Sequence, residues 1–443
     1  MPSEGGLIIQ PDWLITESSE KPKRHWGVRI CDGKIFSVAP NEKLENDFPE
    51  DEVFTAGEKV LMPGFVNGHT HMYGVLAHGI PLESAPSDFW SFLESFWWPM
   101  VEDKIDHEMI SAATEWLCSE MLLTGTTTFC DILEAPFSLP DSLIIEKEIV
   151  NNRGLRALLS FEASERSGSD IALKGIDENI RLIEAVTDND LVSGLMSVHT
   201  TFTCSDDFLR QAFELAEANN VLFHAHCNEG IYEGEWCEKT HGHRTFEHYE
   251  QLGINGSRFL ASQCVHLSDK EVELIANSGT RCVHMPLSNC EVGGGIAPIP
   301  ELLERGVTVG LGSDGYINDM FAVMRGSFLI HKARLQDPGT MSAAQVFDMA
   351  TLQGAKALGL NNVGALKSGF AADLQLVDAN LATPLSEENL LEQILLHRSG
   401  KDVDSVMIAG EWKMQNGEIL GVNLESQRNS LHAQTKRLWE ENA

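Results

Sequence analysis

The sequence predicts an α/β fold: a (β/α)8, TIM-like barrel joined to a small β-sandwich-like domain made from both chain ends. Three observations predict it. Apolar, β-branched runs recur between Leu61 and Leu360, with helical periodicity in most of the gaps, the alternation that parallel strand pairing requires. Short strands without intervening helices gather at the two ends of the chain. Metal-binding and proton-carrying residue types stand at or just past the ends of the apolar runs, where a barrel collects its reactive groups.

The first sixty residues read as strands over Gly6–Gln10, Trp26–Ile30 and Gly33–Val38, with Asp32-Gly33 as a hairpin turn. Matching patterns return in Ala372–Asp378 and Ser405–Trp412. Neither end suffices for a sheet domain alone, so residues 1–60 and 361–422 are expected to form one composite β domain. Residues 61–360 are expected to form the barrel. Residues 423–443, with Leu424, Leu431 and Leu438 in helical register, are expected to form a helix on the small domain. The barrel strands are read in the run ending at His69 (Lys59–Gly68), then Thr126–Ile132, Arg156–Ala163, Val192–Thr200, Val221–Asn228, Phe259–Leu267, Arg281–Pro286 and Val307–Ser313. Helices are expected over Ile105–Leu123, Ile171–Val186, Asp206–Asn219 and Asp269–Ala276, with Asp206 and Ser268 at N-cap positions.

Bulk properties narrow the function. The chain has 443 residues, 43% hydrophobic and 22% charged, an ordinary globular composition. No apolar run approaches the roughly 18 residues of a membrane span, and Met1-Pro2-Ser3-Glu4-Gly5-Gly6 lacks the basic flank and apolar core of a signal peptide. The nine cysteines are scattered without a C-x-x-C pair, which suits a reducing cytoplasmic location. Net charge is -34, from 66 acidic and 32 basic residues, which argues against nucleic-acid polymers and anionic membranes as partners.

His69-Thr70-His71 ends a strand-like run, and residues two apart on a strand share a face. Neutral imidazole is the commonest protein metal ligand. His226 with Glu229 three residues on, Cys264-Val265-His266-Leu267, and Gly312-Ser313-Asp314-Gly315 follow later runs. Together they supply nitrogen ligands, a carboxylate ligand and spare proton carriers, the requirements of metal-assisted hydrolysis. His224 shares the face of His226 and competes for the third nitrogen position; the spacing to Glu229 favours His226. His78, His107, His331 and His397 lie in no motif and read as surface or helix residues. His241 and His243 lie in a polar loop, with a lid or a second metal as their candidate roles. Gly310-x-Gly312-x-x-Gly315 fits the dinucleotide glycine pattern, but Asp314 would repel a pyrophosphate. H-E-x-x-H, G-x-S-x-G and Walker motifs are absent.

Pro63-Gly64-Phe65-Val66-Asn67-Gly68-His69-Thr70-His71 resembles the strand-one signature of the amidohydrolase superfamily. Met285-Pro286-Leu287-Ser288-Asn289 with Gly295-Ile296-Ala297-Pro298 resembles its strand-seven loop, and Gly310–Gly315 its strand-eight segment. The chain is most similar to the aminohydrolase and chlorohydrolase branch, which holds S-adenosylhomocysteine/methylthioadenosine deaminases, guanine deaminase and triazine hydrolases. Phe161–Arg166 and Thr383-Pro384-Leu385 resemble its SsnA-type members. The resemblance implies one divalent metal, zinc or alternatively iron, on His69, His71, His226 and Asp314. Asp314 would take a proton from the attacking water, Glu229 would protonate a ring nitrogen and help ammonia leave, and His266 would hydrogen-bond the attacking oxygen. Strand four, Ser193–Thr200, has no lysine of the kind that bridges two metals, so one metal is expected.

Among substrate contacts, Glu102 resembles a ribose-binding carboxylate and His199 a substrate-contacting histidine. Trp98 belongs to the aromatic stretch Phe89–Pro99, which would stack on a flat heterocycle. Ala157–Glu162 lacks the arginine that grips an amino-acid carboxylate, and Arg166 is its only nearby substitute. A neutral or cationic nitrogen heterocycle is therefore preferred over S-adenosylhomocysteine. The expected reaction is hydrolytic deamination of a purine, pteridine, triazine or nucleoside-like amine. The alternatives are hydrolysis of a C–Cl, amide or urea-type bond, or a scaffold without catalysis. Family habit implies a homodimer.

Overall fold

Apolar strands buried on both faces must be covered by helices, and parallel strands need crossovers long enough to hold one. The computed structural model, which describes residues 5–442, resolves this as a barrel. Residues 1–4, read above for a leader, and Ala443 lie outside the described residues. The barrel strands are β1 (Phe65–Thr70), β2 (Thr126–Leu133), β3 (Arg156–Ala163), β4 (Met196–Val198), β5 (Phe223–Cys227), β6 (Phe259–Gln263), β7 (Arg281–His284) and β8 (Val309–Leu311). Each pairs in parallel with the next, and Val192–Gly194 adds to β3.

The seam between β8 and β1 closes the barrel. Ser313 and Asp314 both donate their N–H to the His69 carbonyl at 3.0 Å, and Thr70 pairs with Asp314 as an isolated parallel bridge. Gly312 is required there: a Cβ would lie 2.8 Å from the His69 carbonyl oxygen. Asn67 reaches across the same seam, donating to Ser313 Oγ at 2.7 Å and accepting from Ser313 N at 3.0 Å.

The run before His69 is not one strand. Glu52–Pro63 belongs to the second sheet and Phe65–Thr70 to the barrel. Pro63 has no N–H to donate, and Gly64 turns the chain so that its N–H reaches the Asp373 carbonyl while Phe65 N reaches Gly125. Glu52–Pro63 is the spine of a nine-stranded mixed sheet, parallel to Leu7–Leu14 and antiparallel to Leu374–Asp378. Trp26–Cys31 and Lys34–Pro40 extend one side, and Val403–Ile408, Glu411–Gln415 and Glu418–Ile419 the other. The sheet curls until Ala372 N donates to the Gly33 carbonyl, enclosing Ile9, Val28, Ile30, Leu61, Leu374 and Met407.

Helices occupy His107–Leu123, Ser169–Ala185, Asp206–Ala218 and Asp269–Ser278. Ser268 caps the last of these in a reciprocal box with Glu271. The cap of Asp206–Ala218 is Ser205, not Asp206: its hydroxyl accepts from Phe208 N, and Asp206 is the first helical residue. The helix Leu424–Glu440, expected on the small domain, packs on the barrel helix His107–Leu123. Ser119 Oγ donates to Gln427 Oε1 at 2.7 Å, and Trp439 Nε1 donates to the Leu76 carbonyl at 2.9 Å. Among the described residues no helix is long and apolar enough to cross a membrane.

Candidate active site

The C-terminal strand ends open into a cavity of about 390 Å³. His69 and His71 lie at the end of β1, with ring nitrogens Nε2 3.2 Å apart. Asp314 follows β8, and its Oδ1 lies 3.2 Å from His71 Nε2 and 3.8 Å from His69 Nε2. His226 on β5 completes a cluster in which ligand atoms of His69, His71 and His226 all fall within 4.8 Å of one another. His224 is on the same strand but takes another place. Its ring stacks under His69 at 5.1 Å, and its Nδ1 is 2.8 Å from Ser197 Oγ, so it supports the cluster from below.

The cluster's hydrogen bonding fits a cation. His71 Nδ1 lies 2.6 Å from the Ile132 carbonyl, which can only accept, so the proton of the neutral ring is on Nδ1. His71 Nε2 then turns a lone pair toward the Asp314 carboxylate at 3.2 Å. Two acceptors facing each other in a buried site repel, and a shared metal ion removes the conflict. His226 Nδ1 lies 3.3 Å from Glu162 Oε1, a carboxylate–histidine arrangement that orients a ligating ring. These residues fit a divalent metal with nitrogen and oxygen ligands, zinc above all.

Asp314 is held on both oxygens. Oδ2 accepts from Gln263 Nε2 and Ser288 Oγ, each at 2.8 Å, and Oδ1 accepts from Gly315 N at 3.0 Å. Burial pushes its carboxyl upward, but the histidines His71, His69 and His226 hold it well below the ordinary range. Glu229 is the opposite case. It follows β5 at the cavity wall, where burial raises its carboxyl well above the ordinary range and the Asp314 charge adds to the rise. The two carboxyls are thus pushed in opposite directions, one toward the ionised and the other toward the protonated form, the pairing that acid–base chemistry uses.

His266 does not stand where sequence reasoning set it. Strand β6 ends at Gln263, and Gln263 and Cys264 both take left-handed backbone angles (φ 71° and 54°), turning the chain away. His266 Nε2 therefore lies 2.5 Å from the Gly294 carbonyl, outside the cavity lining. The side chain beside Asp314 is Gln263, whose Oε1 accepts from Asn289. Asn228 and Asp314, also past strand ends, share this left-handed geometry (φ 51° and 61°).

Glu102 and His199 both line the cavity. His199 stands 3.7 Å (Nε2) from Glu162 Oε1, and burial brings its ring down to about 3. Burial works against ionisation of Glu162, but His226 and His199 hold it at about 2. Trp98 does not line the main cavity: it covers the Arg166 guanidinium at 5.3 Å and meets the edge of His199. The cavity wall is instead Phe89, Phe92, Phe96 and Trp97, carried on a short α-helix that continues as a π-helix over Leu93–Val101.

Sequence reasoning missed a buried ion cluster behind this wall. Arg166 donates to Glu134 Oε1 (2.5 Å), Asp103 Oδ1 (2.7 Å) and Glu102 Oε2 (2.9 Å), and Tyr73 OH donates to Glu102 Oε1 (2.8 Å). Glu162 is the penultimate residue of β3 and Glu134 directly follows β2, so the strand-end rule applied to every strand finds both.

The geometry defines a metal-dependent hydrolase, and the comparisons say which. Residues 60–413 match the amidohydrolase family, and the chain belongs to it. It is 32% identical to a 5'-deoxyadenosine deaminase of Methanococcus aeolicus over 90% of this chain and 92% of the relative. It is 31% identical to a 5-methylthioadenosine/S-adenosylhomocysteine deaminase of Pelotomaculum thermopropionicum over 98% of each. Its fold matches a zinc-bound adenosine deaminase of Xanthomonas campestris with a TM-score of 0.89 and 24% identity, covering 99% of both chains.

Proposed function

We propose that this chain hydrolytically deaminates an aminated nitrogen heterocycle of purine or nucleoside-like type, releasing ammonia. The observation that carries the reading is geometric: His69, His71, His226 and Asp314 converge at the end of one cavity whose wall also carries Glu229. His69, His71, His226 and Asp314 would hold one zinc ion, which when bound lowers the pKa of a bound water toward neutrality.

The chain's own groups do the rest. Asp314 receives the water's proton; Gln263 and Ser288 fix its Oδ2, leaving Oδ1 on the histidine side. Glu229 gives its proton to the ring nitrogen beside the attacked carbon, the proton held by Asp314 leaves with the departing amine, and the hydroxyl proton of the adduct returns to Glu229 as the carbonyl forms. Phe89, Phe92, Phe96 and Trp97 stack on the flat ring and exclude bulk water. Glu102 and His199 contact the substrate away from the reacting carbon.

Charge selects among the substrates. Glu102, Glu134, Glu162, Glu229, Glu291 and Asp314 line the cavity without any lysine or arginine, and Arg166 behind them is already committed to carboxylates. A substrate carboxylate would have no cation to meet, so neutral or cationic amines are favoured over S-adenosylhomocysteine. The test is ammonia release by zinc-loaded protein from a panel of aminated purines, pteridines, triazines and 5'-modified adenosines. Ammonia from a neutral or cationic member supports the reading. Chloride from chlorotriazines without ammonia from any amine, or S-adenosylhomocysteine as best substrate, overturns it.

A further inference from the structure

His241, His243 and His248 lie outside the catalytic cluster, on and between the two helices that follow strand β5. Helix α1 (Asp206–Ala218) begins with Asp206, helix α2 (Ile231–His241) ends with His241, and helix α3 (Thr245–Gln251) carries His248. Ligand atoms of Asp206, His241 and His248 all lie within 4.8 Å of one another, although they come from three separate helices. His248 Nε2 is 2.9 Å from Asp206 Oδ1, and the His241 and His248 rings stack face to face at 3.8 Å. His243 Nε2 is 3.1 Å from His248 Nδ1, and Gln251 Nε2 donates to His243 Nδ1 at 3.3 Å.

We propose that Asp206, His241 and His248 form a second metal site, for zinc or a similar divalent transition ion, separate from the catalytic cluster. Burial and the stacked His241 hold the His248 ring below its ordinary value, which favours the neutral form that ligates a metal. His248 is buried and backed by His243, the outer-shell partner that fixes which nitrogen of a ligating histidine faces the ion. On binding, His248 takes the tautomer with its proton on Nδ1, which then faces His243 Nε2 as acceptor, and His248 Nε2 and Asp206 Oδ1 turn to the ion. Ligand atoms on a common zinc lie about 3.3 Å apart at bonds near 2.0–2.1 Å. The half-exposed Asp206 and His241 need only a small rotation to close that gap.

Such an ion would tie three helices together. Helix α2 starts two residues after Glu229, and its Tyr232 stacks on Trp90 at 4.2 Å. The site is thus a clasp on the far end of the element that borders the cavity.

The test is zinc stoichiometry after equilibrium dialysis of the full chain at low micromolar free zinc, compared with His241→Asn and Asp206→Asn. Both positions are partly exposed, and folding of each variant is checked by its melting curve. The expected result is loss of about one equivalent of zinc in each variant, with the catalytic equivalent retained. Equal stoichiometry in wild type and both variants overturns the proposal, and because the readout is a difference, it does so whether or not deamination is found.

Discussion

Replacing Arg166 by methionine isolates the energetics of the ion cluster behind the cavity. The guanidinium is 9% exposed and holds Glu102 and Glu134, whose side chains are 4% and 3% exposed. Asp103, at 30%, is screened by solvent and contributes little. With the arginine present, burial raises the Glu134 carboxyl to about 7 while Arg166 works to lower it, and burial raises Glu102 as well. Without the arginine both carboxyls keep their protons to higher pH.

In that window the unfolded chain has released protons that the variant's native state retains, so stability falls with rising pH, by about 1.36 kcal/mol per unit per group. At pH 8.5 Glu134 alone accounts for about 2 kcal/mol of loss by this reckoning, and Glu102 adds to it, giving roughly 3–5 kcal/mol in all, the usual range for a broken buried pair. At pH 5.5 Glu134 is protonated with or without Arg166, and about 1 kcal/mol of lost hydrogen bonding remains. Urea midpoints of Arg166→Met and wild type at the two pH values measure the difference. A loss below about 1 kcal/mol at pH 8.5, or the same loss at both, refutes the reasoning.

Glu229→Gln should lower kcat by about 10²–10⁴ with KM changed only a few-fold. Wild-type activity should decline as pH rises through the raised Glu229 pKa, and the variant's residual activity should lack that limb; a limb that persists would assign it to another group. His266→Ala should keep kcat within about threefold and cost about 1 kcal/mol of stability, the worth of its Gly294 bond, whereas Gln263→Leu should lower kcat at least about tenfold by releasing Asp314. Steady-state kinetics of the two variants decide between them, and the opposite order would restore His266 to the site. Dialysis against a chelator should abolish activity and lower the melting temperature. Zinc at about 100 times its Kd should restore both, with about 2.7 kcal/mol of stabilisation, and activity that survives metal removal would contradict the mechanism.

The fold class was legible because barrel strands buried on both faces are continuous apolar runs separated by helical periodicity. Boundaries were less so. Val192–Thr200 breaks at Leu195 into two short strands, and Phe259–Leu267 stops at Gln263, where the backbone turns left-handed at Gln263 and Cys264, residues whose side chains do not announce it. The same turn explains His266: a histidine three residues past a strand end follows no alternation. His69, His71, His226 and Asp314 could be picked out because they flank apolar runs. Glu134 and Glu162 stand at strand ends but have no motif to single them out, and Arg166, past the end of β3, could not be told from an ordinary charged residue without knowing which cavity it backs. Trp97 and Trp98 were indistinguishable in sequence, since which ring faces the cavity depends on the wider π-helical turn over Leu93–Val101.

The carbonyl of His69 accepts the N–H groups of Ser313 and Asp314, so the residue before Thr70 both offers an imidazole inward and fastens the first strand to the last. Circularising the sheet and assembling the ion's cradle are thus a single event in the life of this chain. Segments separated by most of the sequence must join before any hydrolytic machinery exists, and a chain stalled short of that junction carries neither a finished cylinder nor a competent centre.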